Sequence, residues 1–380
     1  MVSTNALRYV AEDASTGYGD AADRLVRAVR ALGVTVEFRG WSDTYRGAAP
    51  AFTPFSRDEL PELRVGDGAP TVAHLVPEYY PLVRSVAPPG AFVAHTVWET
   101  DRLPHHWPAL LNDTDLVIVP TDWNREVFEA GGVRVPVRVV PHVACDPVPG
   151  DGGAALDLPD DLVVFYAIGR WDQRKAMFHT VEAFLRAFTI DDPVVLVVKT
   201  APHIEMPPAE EWGASNPRAF STGWQMARLV SRHARPPMIR LEVAEWTDEQ
   251  IAGLHARGDC YVTLTHGEGW GIGAFDACAY GNPVVATEWG GLLAFLDGDG
   301  ASLVRATEIP VEHIALTSYS VDQQWAEPDI DHAVEFLRAV AADPEGARRR
   351  AAPLRDRVLS EFAGPVVART FLDVIDTVRS

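Results

Sequence analysis

The chain has 380 residues with a hydrophobic share of 47%, which is the composition of an ordinary soluble globular protein of two to three domains. Its formal net charge of -20 argues against a nucleic-acid partner and against docking on an anionic bilayer, because both attract basic surfaces. We also find no apolar run of about 20 residues that would span a membrane.

The cysteine content of the chain indicates its cellular compartment, and the lysine content indicates the kind of genome that encodes it. The three cysteines, Cys145, Cys260 and Cys278, show neither a disulfide framework nor a metal-binding spacing, which fits a reducing cytoplasm. No basic segment followed by an apolar one opens the chain, so we expect no secretory leader. Only two of the 33 basic residues are lysines, at 175 and 199, as a GC-rich genome would give, and we expect a bacterial protein.

The first part of the chain predicts a doubly wound α/β domain. A strand at 7–11 leads through a glycine-containing loop into a helix at about 21–32, and a strand follows at 34–38. Further strands are predicted at 71–75, 91–95, 116–119 and 137–140. We therefore expect a Rossmann-like domain over residues 1–145.

A turn-rich break at 146–153 precedes a second alternation of strands and helices. Strands are predicted at 162–168, 194–199, 239–243, 260–265 and 283–287, and helices at about 176–188, 222–234 and 248–257. We expect a second Rossmann-like domain over 155–360, followed by an amphipathic helix within 361–380.

Residues 266–291 carry the most informative pattern. A buried strand leads into a loop with Glu268, and a helix follows at about 272–280 with Asp276 on it and Gly281 at its end. A helix N-terminus favours a phosphate, because its first amides lack helical partners and carry partial positive charge. Carboxylates accept hydrogen bonds from hydroxyl groups. The pattern therefore predicts a sugar-nucleotide site.

A second pattern, Gly-Arg-Trp-Asp-Gln-Arg-Lys at 169–175, lies between a predicted strand and a predicted helix. Arg170 and Lys175 offer a forked guanidinium and a compact ammonium, which suit a diphosphate leaving group. The alternative is a solvated helix start with ordinary surface charges.

Three further features allow two interpretations each. Gly17 and Gly19, before the first helix, suggest either proximity to a phosphate or a plain turn, and the full dinucleotide-binding glycine pattern is absent. His95, at a strand end, is either functional or structural. After it, Trp98, Glu99 and Trp107 either line the acceptor site, where flat aromatic faces stack on sugar rings, or the two Trp side chains pack in the core.

The 20 residues EGWGIGAFDACAYGNPVVAT resemble the Glu-x7-Glu motif of retaining GT-B glycosyltransferases of the family 4 type, EGFGLPxxEAMACGxPVVAT. Asp276 replaces the second Glu of that motif, and Gly273 stands where Pro is frequent. Residues 169–175 are similar to the GRxxxxK pattern of the same family. The resemblance implies two Rossmann-like domains that face each other across a cleft, with a C-terminal helix that crosses back to the first domain.

The resemblance also implies roles for the candidate residues. Glu268 would contact the transferred sugar, Asp276 the nucleotide ribose, and His95 the border between sugar and acceptor. The donor diphosphate would be bound by residues from three segments: Gly17, Gly19, Arg170, Lys175, Gly271, Ile272 and Gly273. We expect catalysis to depend on Glu268, His95, Lys175 and Arg170, with no cofactor and no metal. The triplet Asp297-Gly-Asp299 is interpreted as a turn rather than a metal site.

The expected function is retaining, metal-independent transfer of a sugar from an NDP-sugar to a small soluble acceptor in the cytoplasm, without stable membrane association. Residues 1–150 lack lysine and hold more acids than bases, which favours a soluble acceptor. The alternatives are another GT-B enzyme, such as a sugar-nucleotide epimerase or a phosphorylase, and an inactive sugar-nucleotide-binding protein. The oligomeric state stays open, with a homodimer among the alternatives.

Overall fold

The structure is a computed structural model that describes residues 4–12, 16–41, 52–53, 64–148, 157–204, 217–298, 300–312 and 318–378. The chain divides into two compact units. The first comprises Met1–Trp98, Arg102–Ala144 and Ser360–Ser380, and the second comprises Glu99–Asp101 and Cys145–Leu359. The short segment Glu99–Asp101 thus groups with the second unit, although the first surrounds it in sequence.

A seven-stranded sheet forms the centre of the first unit, in the order β3-β2-β1-β4-β5-β6-β7. All neighbouring strands are parallel except β2 and β3. The elements are β1 (Ala6–Glu12), α1 (Gly17–Ala31), β2 (Thr35–Trp41), β3 (Phe52–Thr53), β4 (Thr71–His74), α2 (Tyr80–Val86), β5 (Phe92–His95), α3 (Trp107–Leu111), β6 (Leu116–Val119), α4 (Asp122–Ala130) and β7 (Val137–Val139). Strands β4, β5 and β6 are buried along their whole length, as a parallel sheet covered on both faces requires.

The second unit contains a six-stranded parallel sheet in the order β10-β9-β8-β11-β12-β13. Its elements are β8 (Val163–Ile168), α5 (Met177–Ala187), β9 (Val194–Lys199), α6 (Thr222–Val230), β10 (Met238–Glu242), α7 (Asp248–Arg257), β11 (Cys260–Thr263), α8 (Ile272–Ala279), β12 (Val284–Thr287) and β13 (Ser302–Val304). An antiparallel hairpin, β14 (Ala306–Pro310) and β15 (Gln324–Pro328), follows, and then α9 (Ile330–Ala342) and α10 (Pro344–Glu361).

The last helix, α11 (Gly364–Asp376), is part of the first unit and packs on α1. A Cβ at Gly364 would lie 3.2 Å from the Cβ of Ala28, so a small residue allows close approach there. The amide of Thr4 donates a hydrogen bond of 2.9 Å to Asp376. The predicted return of the C-terminal helix to the first domain is therefore observed.

Helix α1 starts earlier than the sequence predicts. The Thr16 hydroxyl accepts a 3.0 Å hydrogen bond from the amide of Gly19 and so caps the helix, which begins at Gly17. Gly17 and Gly19 therefore lie in the first helical turn, and the predicted loop placement of these two glycines is wrong. Among the described residues, no helix is both long enough and apolar enough to cross a membrane.

Candidate functional site

Strand order reverses in the second unit between β8 and β11, and a crevice opens at such a switch point beyond the carboxyl ends of the strands. The loops that follow these two strands are joined there by hydrogen bonds. The carbonyl of Arg174 accepts from the amide of His266 at 2.9 Å and from the hydroxyl of Thr265 at 2.8 Å. The two sequence patterns, 169–175 and 266–291, thus meet at one place.

Glu268 is the centre of this meeting point. Its side chain is buried, and its carboxylate accepts hydrogen bonds from the Lys175 ammonium and, at 3.3 Å, from the Arg174 guanidinium. The Asp172 carboxylate accepts from the amide of Lys175 at 2.7 Å and so fixes the loop before α5. The structure therefore brings together Glu268 and Lys175, two residues that the sequence analysis assigned to the donor site.

Arg174 was not among the predicted site residues, yet it contacts several groups of the site. Besides Glu268, its guanidinium donates to the carbonyl of Gly267 at 2.9 Å and lies 3.8 Å from the Glu99 carboxylate. The hydroxyl of Tyr319 donates to the same Glu99 at 3.1 Å. Burial alone would lower the pKa of Arg174, but Glu99 and the other nearby acids outweigh it and hold the pKa well above its usual range. Arg174 is thus a permanent buried cation.

Arg170 has a different position from Arg174. Its side chain is 56% exposed and forms an ion pair of 3.4 Å with Asp172. A cation on an exposed part of the loop is accessible to an anionic ligand, whereas the buried Arg174 is committed to protein carboxylates.

The glycines of the 266–291 pattern are required by close packing. Gly271 precedes α8 with φ at +89°, in the left-handed region, and a Cβ at Gly273 would lie 2.3 Å from the hydroxyl of Tyr261. A larger residue at position 273 would therefore collide with the side chain of Tyr261. The first amides of α8, including that of Ile272, have no partner within the helix by its geometry.

Asp276 is buried on α8, eight residues after Glu268. The Gly290-Gly291 turn after β12 fixes the Glu268 loop from the other side. The amide of Gly291 donates to the carbonyl of Glu268 at 2.8 Å.

His95 lies at the end of β5 in the first unit and is fully buried. Its Nδ1 is 3.0 Å from the hydroxyl of Tyr9, which also contacts His74 Nδ1 at 2.9 Å, and the two imidazole rings stack at 3.8 Å. Burial lowers the pKa of His95 well below its usual value, with a smaller effect from His142, so the ring is neutral. Its Nε2 is buried without a hydrogen-bond partner among the described residues.

Trp98 and Trp107 are core residues. Each is at most 3% exposed, their rings meet edge to face at 4.6 Å, and Trp107 Nε1 donates to Glu78 at 2.9 Å. Of the two interpretations given for them, core packing is the one that the structure shows. Asp297 pairs with Arg357 at 2.8 Å and accepts from the amide of Gly300 at 3.1 Å, which is the geometry of a turn. Asp299 lies outside the described residues.

No protein-family model and no curated protein matches the chain. Solved structures do match along nearly its whole length. A sucrose-phosphate synthase from Thermosynechococcus elongatus has a TM-score of 0.67 and 15% identity, with 99% of each chain covered. HepE from Anabaena, solved with UDP-glucose, has a TM-score of 0.64 and 11% identity over 98% of this chain and 99% of its own.

A UDP-forming trehalose-phosphate synthase from Burkholderia xenovorans has a TM-score of 0.58 and 14% identity, over 82% of this chain and 74% of its own. The neighbouring structures are GT-B glycosyltransferases. The chain therefore has the GT-B fold, and the fold class predicted from the sequence is confirmed.

Proposed function

We propose that the protein is a glycosyltransferase that moves a sugar from an NDP-sugar to a small soluble acceptor, with retention of the anomeric configuration and without a catalytic metal. The observation that supports this most is the buried Glu268 carboxylate, bound by Lys175 and Arg174 at the β8/β11 switch point before α8. The HepE structure contains UDP-glucose on the same fold, which supports a sugar nucleotide as the donor.

The diphosphate leaving group becomes more negative as the glycosidic bond breaks, so fixed positive charge near it lowers the barrier. We assign this charge to Lys175, Arg170 and the first amides of α8. An ammonium carries three donors, so Lys175 is able to bind a phosphate oxygen while it still donates to Glu268. Arg174 acts as a positioning residue, because its guanidinium holds Glu268 and the Gly267 carbonyl together.

For retention, we propose attack by the acceptor on the same face of the sugar that the diphosphate leaves, with the leaving phosphate accepting the proton of the acceptor. Glu268 would accept hydrogen bonds from sugar hydroxyls, and Asp276 from the ribose. We assign no protein nucleophile. His95, buried and neutral, would border the sugar and the acceptor through its Nε2.

Release of nucleoside diphosphate from a panel of UDP-, GDP-, ADP- and dTDP-sugars, with mixed polyol and amino-alcohol acceptors, tests the proposal. We expect acceptor-dependent release, an unchanged anomeric configuration by NMR, and survival of activity in EDTA. Loss of activity in EDTA with rescue by Mn²⁺ would contradict metal-independent transfer. Epimerised donor or phosphate-dependent cleavage would instead identify an epimerase or a phosphorylase, and binding without turnover an inactive protein.

A phosphorylase that uses pyridoxal phosphate needs a lysine for the Schiff base, and both lysines of this chain are engaged. Lys175 donates to Glu268, and the Lys199 ammonium lies 5.7 Å from the centre of the Trp246 ring. These contacts favour the transferase.

The proposal of a soluble acceptor is based on the net charge of the chain. Attraction to anionic lipid needs basic clusters, and the net charge here is -20. Co-sedimentation with phosphatidylserine-containing liposomes at physiological salt should leave the protein in the supernatant. Strong, salt-sensitive binding would refute this part of the proposal and leave the donor site unaffected.

A further inference from the structure

Three side chains from separate elements of the second unit converge on one point. They are His179 on α5, His266 in the loop after β11, and Glu327 on β15. The two Nε2 atoms are 3.0 Å apart, His266 Nε2 is 2.9 Å from Glu327 Oε2, and His179 Nε2 is 3.3 Å from the same oxygen. The three atoms therefore form a closed triangle.

Hydrogen bonds alone do not satisfy the three atoms of this triangle. Each Nε2 carries at most one proton, and an ionised carboxylate carries none. With one proton, one contact joins two lone pairs, and with two protons the N–H groups of His179 and His266 face each other. While the carboxylate is ionised, every protonation state of the two rings leaves one short contact unfavourable, whereas a cation at the centre would bind all three lone pairs.

The surroundings of the three side chains favour a bound ion that keeps one coordination position accessible to solvent. The side chains of His266 and His179 are 6% and 14% exposed, and that of Glu327 is 40% exposed, which leaves an approach from solvent. The Trp325 ring lies 4.6 Å from His266, and the Phe178 ring lies 4.5 Å from His179, so aromatic groups flank the imidazoles. His266 Nε2 is the ring nitrogen that faces both His179 and Glu327, so it is the ligating atom.

We propose that His179, His266 and Glu327 bind one divalent transition-metal ion, of which Zn²⁺ is the best fit. Two imidazole nitrogens and one carboxylate form a donor set typical of zinc, with a fourth position left for water. Zn–N bonds of ~2.05 Å at a tetrahedral angle place two nitrogens about 3.3 Å apart, close to the observed 3.0 Å. Mg²⁺ and Ca²⁺ prefer oxygen ligands, and only one of the three groups supplies oxygen. This site departs from the sequence-based expectation of no metal.

The proposed ion would link the β14–β15 hairpin to the Glu268 loop. His266 precedes Glu268 by two residues, and its carbonyl accepts from the amide of Ala326 on β15 at 2.8 Å. The ligands are separate from the Lys175–Glu268 pair, so the ion is a structural or regulatory element outside the donor chemistry. The inference therefore stands apart from the proposed function, and donor turnover in EDTA does not test it.

Calorimetric titration of the EDTA-treated, dialysed full chain with Zn²⁺ tests the site. We expect one ion per chain, a higher Tm with Zn²⁺, no heat with Mg²⁺, and the visible absorption of tetrahedral Co²⁺ on titration with Co²⁺. Mutations that merely disturb the orientation of a ligand weaken metal binding about 10- to 100-fold, so H179A and E327Q should each cost at least tenfold.

The matched control is H233A, which removes a histidine that lies 3.7 Å from Glu182 in the same unit. It should bind Zn²⁺ like the unaltered chain. Because H179A changes a largely buried position, E327Q at the partly exposed carboxylate serves as the second variant, with its fold checked by circular dichroism in EDTA. No stoichiometric binding, or equal binding by E327Q and H233A, would overturn the proposal.

Discussion

Lys175 and Arg174 bind the same carboxylate in different ways. The guanidinium of Arg174 donates to Glu268 and to the Gly267 carbonyl and forms an ion pair with Glu99, whereas the Lys175 ammonium on its flexible chain is a point charge. The side chain of Lys175 is 25% exposed and that of Arg174 is 11% exposed. Lys175 is therefore the cation suited to a ligand, and Arg174 the one that maintains the site.

Lys175→Ala should lower turnover by roughly ten- to a hundredfold, because a charge-assisted contact contributes ~1.5–3 kcal/mol as the diphosphate leaves. The control is Arg349→Ala, which removes the same charge from an exposed position on α10. Steady-state kinetics with the best donor gives both values. Equal turnover in the two variants would mean that Lys175 does not bind the leaving group.

The two acids of the motif should separate into a sugar role and a nucleotide role. Glu268→Gln keeps the shape and hydrogen-bonding oxygen of the side chain, so we expect a lower kcat with little change in the affinity for free nucleoside diphosphate. Asp276→Asn should weaken nucleotide binding and affect kcat less, because a ribose contact acts in the ground and transition states alike. Kinetics together with calorimetry distinguishes the two, and the reverse pattern would show that the roles are exchanged.

Sequence patterns assigned Glu268 and Lys175 to one donor site, because both lie in loops that follow predicted strands, but they did not predict the ion pair between the two side chains. They did not single out Arg174. Its function depends on contacts with Glu99 and Gly267, which are 75 and 93 positions away in the chain. The His179–His266–Glu327 triangle was missed for the same reason, since its members are far apart in sequence.

At the scale of elements, the loops of the second unit are fixed by contacts that leave no room for a side chain. A Cβ at Gly291 would lie 2.0 Å from the carbonyl oxygen of Gly269, at the point where Gly291 also donates to Glu268. The loop after β11 therefore depends on the turn after β12 for its position.

Gly291→Ala should destabilise the fold by about 1–3 kcal/mol, because backbone atoms must shift to admit the methyl group. The same shift moves the Glu268 loop, so nucleotide affinity should fall as well. The control is Gly298→Ala, where a Cβ meets nothing within 4 Å. Urea unfolding and nucleotide titration of both variants give the comparison, and equal stabilities would show that the Gly269–Gly291 contact is not tight.

Strands β1, β4 and β5 and the segment after β7 bring buried histidines together around Tyr9. Burial, and to a smaller extent neighbouring groups, lowers the pKa values of His74 and His95, and burial with nearby Arg24 lowers that of His142 from 6.5 to about 3. The unfolded chain therefore binds more protons than the folded chain at mildly acidic pH.

The free energy of unfolding should accordingly be highest above pH 6.5 and fall as the pH decreases toward 3. The slope is up to ~1.4 kcal/mol per pH unit for each such histidine. His142→Gln should reduce the slope. Urea unfolding between pH 7.5 and 5 measures it, and a stability independent of pH would contradict neutral buried histidines.

Element boundaries show what local sequence determines. Helix α1 was predicted to begin near residue 21, but the Thr16 cap starts it at Gly17, because one side-chain hydrogen bond outweighs the low helix propensity of two glycines. The β14–β15 hairpin was not predicted. Its strands are separated by 13 residues, and no two-residue turn signal marks their pairing.

At the scale of the whole molecule, the regular alternation of apolar strands and amphipathic helices was enough to predict two doubly wound sheets, and both are observed. The assignment of Glu99–Asp101 to the second unit was not foreseeable, because it depends on long-range contacts. The amide of Gln324 donates to Asp101, and the amide of Asp101 donates to the carbonyl of Gln324 at 3.1 Å.

Thermal unfolding with UDP, GDP, ADP and dTDP, each compared with its nucleoside, tests the central claim of a nucleotide-sugar site most directly. At a hundredfold excess over Kd, a bound ligand stabilises the fold by about 2.7 kcal/mol. We predict that at least one diphosphate raises Tm, that its nucleoside does so much less, and that Lys175→Ala reduces the shift while Arg349→Ala does not. If no diphosphate raises Tm at millimolar concentration, or if Lys175→Ala responds like the unaltered chain, the assignment of this site is wrong.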